Sequence, residues 1–260
     1  MDSDDEFPDD ADKAFEQFTP SKYGRGTVAF EDLWPFLGDY DFNDTSVNYR
    51  FVAVLNGQNE AVQLDIHYEV TSDGATFING FGLEFENVLP SDISAVTGTA
   101  ITENYIVNET NGVEAGQDNA VVILFDNHEK QLKIPHTVSI TFSSPIPSSQ
   151  LGNAPFNPFL IIDMERSREI HLPNRPRTNL AANDTTVEGV NRDEDGNYAT
   201  STGLPWAINI IHNFKVPKER VPVNRAYNHF NEWVTSGGVN FSDWYKDSNG
   251  YRNESDLKVD

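Results

Sequence analysis

The chain of 260 residues contains no cysteine, which excludes a disulfide framework, a thiolate metal site and a cysteine nucleophile. Basic residues are scarce: 18 Lys and Arg stand against 41 Asp and Glu, a formal charge of −23. Nucleic acid is held largely by Lys and Arg, so a general phosphate-binding surface is excluded, and an anionic membrane is disfavoured for the same reason. No run approaches the roughly 18 apolar residues that span a bilayer. Membrane contact is therefore expected only through a lipid anchor outside these residues. The opening MDSDDEFPDD lacks the basic start and apolar stretch of a signal peptide, as expected where an export signal and upstream sequence have been removed.

Catalytic signatures are missing too. There is no GxSxG elbow, P-loop, dinucleotide fingerprint or HExxH pair. The histidines, His67, His128, His136, His171, His212 and His229, are scattered without metal-ligand spacing. The expectation is a protein that is not an enzyme. A carboxylate pair across a cleft depends on spacing in space, so a glycan-active enzyme stays open as an alternative, as does a purely structural spacer.

What the chain has is alternation. Val62, Leu64, Ile66, Tyr68 and Val70 share one face of a strand while Gln63, Asp65, His67 and Glu69 share the other. Further strands are predicted over 47–55, 76–86, 120–125, 134–142, 158–162 and 206–211, separated by turn pairs such as Asn56-Gly57 and Asn111-Gly112. Strands at this spacing without intervening helices predict an all-β fold, an antiparallel β-sandwich of jelly-roll type. One helix is predicted near 223–235, where Val223, Tyr227, Phe230, Trp233 and Val234 recur at helical spacing before Ser236-Gly237-Gly238. The proline-rich stretch 143–158 is expected to be a bend, and 173–203 a long surface loop. Residues 1–20 are expected to be an acidic appendage to a single large domain spanning 21–260.

Acidic residues are gathered as well as spread. In FEDLWPFLGDYDFND, residues 30–44, Asp39, Asp41 and Asn43 alternate, Asp44 adds a carboxylate, and Glu31 and Asp32 lie just upstream. Calcium takes roughly six to eight hard oxygens, and acids at alternate loop positions bring several to one side. Tyr40 and Phe42, between them, are placed to anchor the loop in the core. The competing reading is an Asx-rich turn. A second candidate is NRDEDGN, where Asn191, Asp193, Asp195 and the carbonyl of Asn197 fit the start of an EF-hand-like loop, although Thr202 stands where a bidentate Glu is required. Asp2, Asp4, Asp5, Asp9 and Asp10 read equally as a cation site or a solvated tail. Of the tryptophans, core placement is expected for most; Trp244 with Tyr245, in a polar stretch, is the better candidate for a sugar-stacking platform.

The strings DDEFPDDADKAF, YGRGTVAFEDLWPFLGDYDFND, NGFGLEF, NPFLIIDMERSREIHLP, LPWAI and HFNEWVTSGG before DWY resemble the LruC-domain family, a domain of unknown function in bacterial surface and outer-membrane lipoproteins. Residues 2–10 resemble the end of a thrombospondin type 3-like calcium repeat. The resemblance implies an exported, surface-associated protein and names no reaction. Combined with the acidic loops, it leads to the expectation of a calcium-binding cell-surface module for adhesion, with a surface glycan or protein as partner.

Overall fold

The computed structural model describes residues 6–10, 12–72, 74–182 and 197–259. Its strands are β1 (Phe15–Thr19), β2 (Gly26–Phe30), β3 (Thr45–Leu55), β4 (Glu60–Ser72), β5 (Gly80–Phe85), β6 (Ile93–Thr97), β7 (Ala120–Phe125), β8 (His136–Pro147), β9 (Asn157–Ile161), β10 (Glu169–His171) and β11 (Ala207–Ile210). They form two antiparallel sheets. The larger runs β11-β2-β3-β4-β8-β6, with β1 also on β3; the smaller runs β10-β9-β5-β7. β1 and β2 share one edge of β3, pairing with residues 51–55 and 45–49 respectively.

The sheets face each other across one core, as the alternation predicts. Val47, Tyr49 and Phe51 of β3, Leu64, Ile66, Tyr68 and Val70 of β4, and Val138 and Ile140 of β8 meet Leu83, Phe85, Val122, Leu124 and Leu160 of the smaller sheet. Each such side chain, fully buried, contributes roughly 1.5–3 kcal/mol. This is the predicted all-β sandwich. β7 is apolar throughout because both its faces are covered: Val122 and Leu124 enter the core, while Val121 and Ile123 lie beneath Ile101, Tyr105 and Ile106.

Three expectations change. Residues 15–19 of the expected appendage form β1, in register with β3 over five residues. β8 continues through Pro147, opposite Glu60, so the bend is confined to helix α1 (Ser148–Leu151) and the turn before β9. The predicted C-terminal helix is split into α2 (Val223–Ala226) and α3 (Phe230–Thr235). Tyr227 is extended and bridges Arg252, and Asn228 N–H donates to the Tyr251 carbonyl at 2.8 Å. A backbone partner from 251–253 thus replaces one helical turn. The apolar side chains of both helices still reach one place: with Phe214, Val216, Trp244 and Leu257 they cover Ala29, Ile208 and Ile210 on the outer face of the larger sheet. The described parts of the expected long loop, 173–182 and 197–203, carry neither helix nor strand.

Candidate metal centre

The loop 31–44 joins two paired strands, and Phe30 and Thr45 are register partners. Glu31 and Asp32 leave one strand where Asn43 and Asp44 enter the next. Strand pairing therefore brings the acids at both ends of the loop together. The ladder persists one residue beyond β2, with Glu31 N–H donating to the Trp206 carbonyl at 2.9 Å.

Inside the loop, Gly38, Tyr40 and Phe42 take positive φ values of 64°, 60° and 54°. Bulky residues rarely adopt that region, and here packing holds them. Tyr40 and Phe42 join the C-terminal lobe core, their rings 5.0 Å apart and 5.9 and 6.1 Å from Phe230. With the aromatic residues turned into the core, Asp39 and Asp41 are left on the side of Glu31. One carboxylate oxygen from each of Glu31, Asp39 and Asp41 lies within 4.8 Å of the other two.

Backbone amides fix Glu31 and Asp41. Glu31 accepts the N–H groups of Phe42 and, at 3.2 Å, of Tyr40. Asp41 accepts Asn43 N–H at 3.0 Å and Arg220 N–H at 2.8 Å, so the C-terminal lobe also holds the loop. Asp44 accepts Asp32 N–H at 2.8 Å, and Asp32 accepts the Asn79 side-chain amide at 2.9 Å. Asn79, which sequence reasoning missed, precedes β5 and ties the acids to the smaller sheet. Its only signal was its place at the head of NGFGLEF. Asn43 serves a packing role: its backbone carbonyl accepts Ser72 Oγ at 2.6 Å and its amide reaches the Pro217 carbonyl at 3.4 Å. Asn43 Oδ1 is buried without a partner, and a Cβ on Gly74 would overlap it.

Burial and mutual repulsion raise the proton affinity of these acids. Burial, then Asp44, pushes the Glu31 carboxyl well above its ordinary range, against the pull of the Phe42 amide. Burial and the facing Asp32 raise Asp44 to about 8. Asp41 rises to about 6, again through burial, with the Asn43 amide opposing. Asp32 is raised by burial and relieved by the hydrogen bonds from Asn79 and Asp44 and by the more distant Arg168. Four carboxyl groups pushed up together mean that the ionised forms repel and are poorly solvated. A divalent ion would reverse both effects.

The other predicted site residues fare differently. Asn191, Asp193 and Asp195, like Asp2, Asp4 and Asp5, lie outside the described residues; Asn197, Asp9 and Asp10 are described and stand apart from the cluster. Trp244 is fully buried, edge-on to Tyr227 and Phe230 at 5.1 and 4.9 Å. It is therefore core and not a stacking platform, because the apolar residues around it converge from segments distant in sequence. Tyr245 is half-buried beside it, 5.9 Å from its ring.

A second buried polar group was not anticipated. Arg166 donates to Glu114, including at 2.6 Å through Nη2, and to Glu169; Glu169 meets His171 Nε2 at 2.8 Å. His171 Nδ1 meets Asn157 at 2.9 Å, and Asn157 donates to Glu84 at 2.7 Å. Burial raises the Glu169 carboxyl, but His171 and Arg166 outweigh it and hold it at about 2. Its donors and acceptors are matched, so it acts as a rivet between the smaller sheet and its covering loops. The string DMERSREIHLP carried these residues without showing their pairing.

Among known proteins, residues 59–245 match the model of a domain of unknown function, DUF4842, and the chain belongs to that family. The matched region begins after the acidic loop. A crystal structure of a "Putative lipoprotein from Bacteroides ovatus" superposes with a TM-score of 0.64 at 18% identity, covering 94% of this chain and 76% of that one. At that identity the likeness is one of fold. No curated protein matches the sequence. Among the described residues no helix is long and apolar enough to cross a membrane.

Proposed function

We propose that this DUF4842 protein is a cell-surface binding module whose 31–44 loop holds a calcium ion. The observation that carries the reading is the convergence of Glu31, Asp39 and Asp41, oxygens within 4.8 Å of one another, with Asp32 and Asp44 raising the local charge. Glu31, Asp39 and Asp41 are the first ligands, and water or loop carbonyls complete the roughly six to eight oxygens that calcium takes. Hard carboxylate oxygens without imidazole or thiolate favour calcium over zinc.

The ion would have a structural role. The loop joins β2 to β3 and is gripped by Arg220 and by Val223, whose N–H donates to the Tyr40 carbonyl at 2.8 Å. An ion there locks the C-terminal lobe onto the sandwich. A binding role is favoured over catalysis because two of the converging acids, Glu31 and Asp41, are buried and tied to backbone amides.

The surface location is supported by the lipoprotein description of the Bacteroides ovatus structure and by the sequence resemblance to LruC domains. In this reading a lipid anchor and a thrombospondin type 3-like calcium repeat precede the domain at the outer membrane, and the module serves adhesion to a surface glycan or protein. Calorimetric titration of chelator-stripped protein with CaCl2 tests the cation. Binding that is lost in Asp39→Ala/Asp41→Ala supports the reading; absence of a binding heat at millimolar calcium refutes it.

A further inference from the structure

The outer face of the larger sheet carries a cluster of lysines in a chain that is acidic overall. Asn48 and Glu69 are register partners on β3 and β4, followed one step along the same face by Arg50 and His67. Beside them, Thr71, Lys133, residues 213–216 and residues 258–259 enclose a cleft of about 470 Å³. Lys133, Lys215 and Lys258 all line it, in a chain with only 18 basic residues against 41 acidic ones.

The lysines are placed by their backbones. Lys133 N–H donates to the Val70 carbonyl at 2.8 Å, and Lys258 N–H to the Val216 carbonyl at 3.0 Å. Lys258 Nζ rests on a neutral group, Ser72 Oγ at 2.7 Å. Lys133 has no carboxylate partner among the described residues. Lys215 pairs with Glu254 at 3.2 Å, and Glu69, the one acid in the wall, is neutralised by Arg25 at 3.1 Å. Arg50 adds a further cation beside the cleft, its Nη1 donating to the Lys22 carbonyl at 2.9 Å, while burial and then Arg50 lower the pKa of the adjoining His67 and hold it neutral.

We propose that this cleft binds a carboxylate- or sulfate-bearing sugar. The ammonium groups of Lys133 and Lys258 meet the anion, and the amides of Asn48 and Asn213 with the Thr71 hydroxyl meet sugar hydroxyls. Charge-assisted contacts of this kind are the strong ones. The overall charge of −23 repels a polyanion at distance, which selects a ligand with isolated charges over nucleic acid. The inference rests on the surface-binding half of the reading above and uses none of the residues of the cation site.

Calorimetry with digalacturonic acid, glucosamine 6-sulfate and neutral cellobiose, each in calcium and in EDTA, tests it. We expect at least one acidic sugar to bind, more weakly as salt rises, and cellobiose not to bind. Which acidic sugar binds separates carboxylate from sulfate. Lys133→Ala, at an exposed position, and Lys258→Gln should each weaken binding at least tenfold, whereas Lys246→Ala, outside the cleft, should not. Loss of binding in EDTA but not in calcium still supports the cleft and ties its shape to the ion. The proposal is overturned if neither acidic sugar binds in calcium, if cellobiose binds as well, or if Lys133→Ala leaves the affinity unchanged.

Discussion

Asp44 Oδ2 accepts the backbone N–H of Asp32 at 2.8 Å, so two acids 12 residues apart in sequence face each other at the mouth of one hairpin. Their carboxyls also share a hydrogen bond, and burial raises the pKa of both. Stability should then depend on pH in an unusual direction. Asp44 and Asp41 stand at about 8 and 6 in the folded chain against about 3.9 unfolded. The folded state therefore binds more protons between these limits, and unfolding free energy falls as pH rises. In EDTA, the urea midpoint should drop between pH 5 and pH 8; with calcium bound the acids are ionised and the drop should vanish. Below about pH 4 the sign reverses, because Glu169, held at about 2, loses its contribution as it protonates.

Asp39→Ala separates ligation from folding. Asp39 is half-buried and acts on its neighbours chiefly by charge, raising Glu31, Asp41 and Asp44. Its removal should leave the EDTA melting temperature unchanged or slightly higher, and should remove most of the gain from calcium. A melting temperature lowered equally in both buffers would mark Asp39 as structural.

Arg166→Ala should be the most damaging of the polar substitutions. It removes the one cation that pairs with Glu114 and Glu169 among the described residues, both at most 2% exposed, and breaking a buried pair typically costs about 3–5 kcal/mol. Equilibrium urea denaturation measures this. A loss under about 1 kcal/mol would mean that the network is not sealed from water.

Phe42→Ala removes a fully buried ring shared by the loop and the C-terminal lobe. Such truncations cost about 3–5 kcal/mol, and here calcium affinity should fall as well, because Phe42 orients the acids on either side of it. Calcium titration of the folded variant checks the second effect. Unchanged affinity would uncouple the aromatic anchors from the site.

Much of the sandwich was legible because side-chain alternation along β4 and β8 reports burial directly. The two sides of the loop 31–44 were legible for a related reason: Asp39 and Asp41 alternate with Tyr40 and Phe42, so the pattern separates an acidic side from an aromatic one. β1, β2, β6 and β10 were not, being short, with pairing decided by distant partners such as Leu55 for Phe15. The break at Tyr227 depends on Arg252, 25 residues later, and helical periodicity cannot register a competing strand bridge. Trp244 misled for the same reason, since its polar neighbours in sequence are not its neighbours in space. Asn79 and the Arg166 network were invisible because hydrogen-bond complementarity across sheets leaves no periodic trace.

Thermal unfolding at pH 7.5 in EDTA and in CaCl2 decides whether the acids of the β2–β3 loop hold a structural calcium ion. A ligand bound only by the folded chain, at a hundred times its dissociation constant, adds about 2.7 kcal/mol. For a domain of this size that corresponds to a rise of about 5–10 °C. Calcium should produce such a rise, reversed by adding EDTA and absent in Asp39→Ala/Asp41→Ala. Melting temperatures that coincide in the two buffers would contradict it.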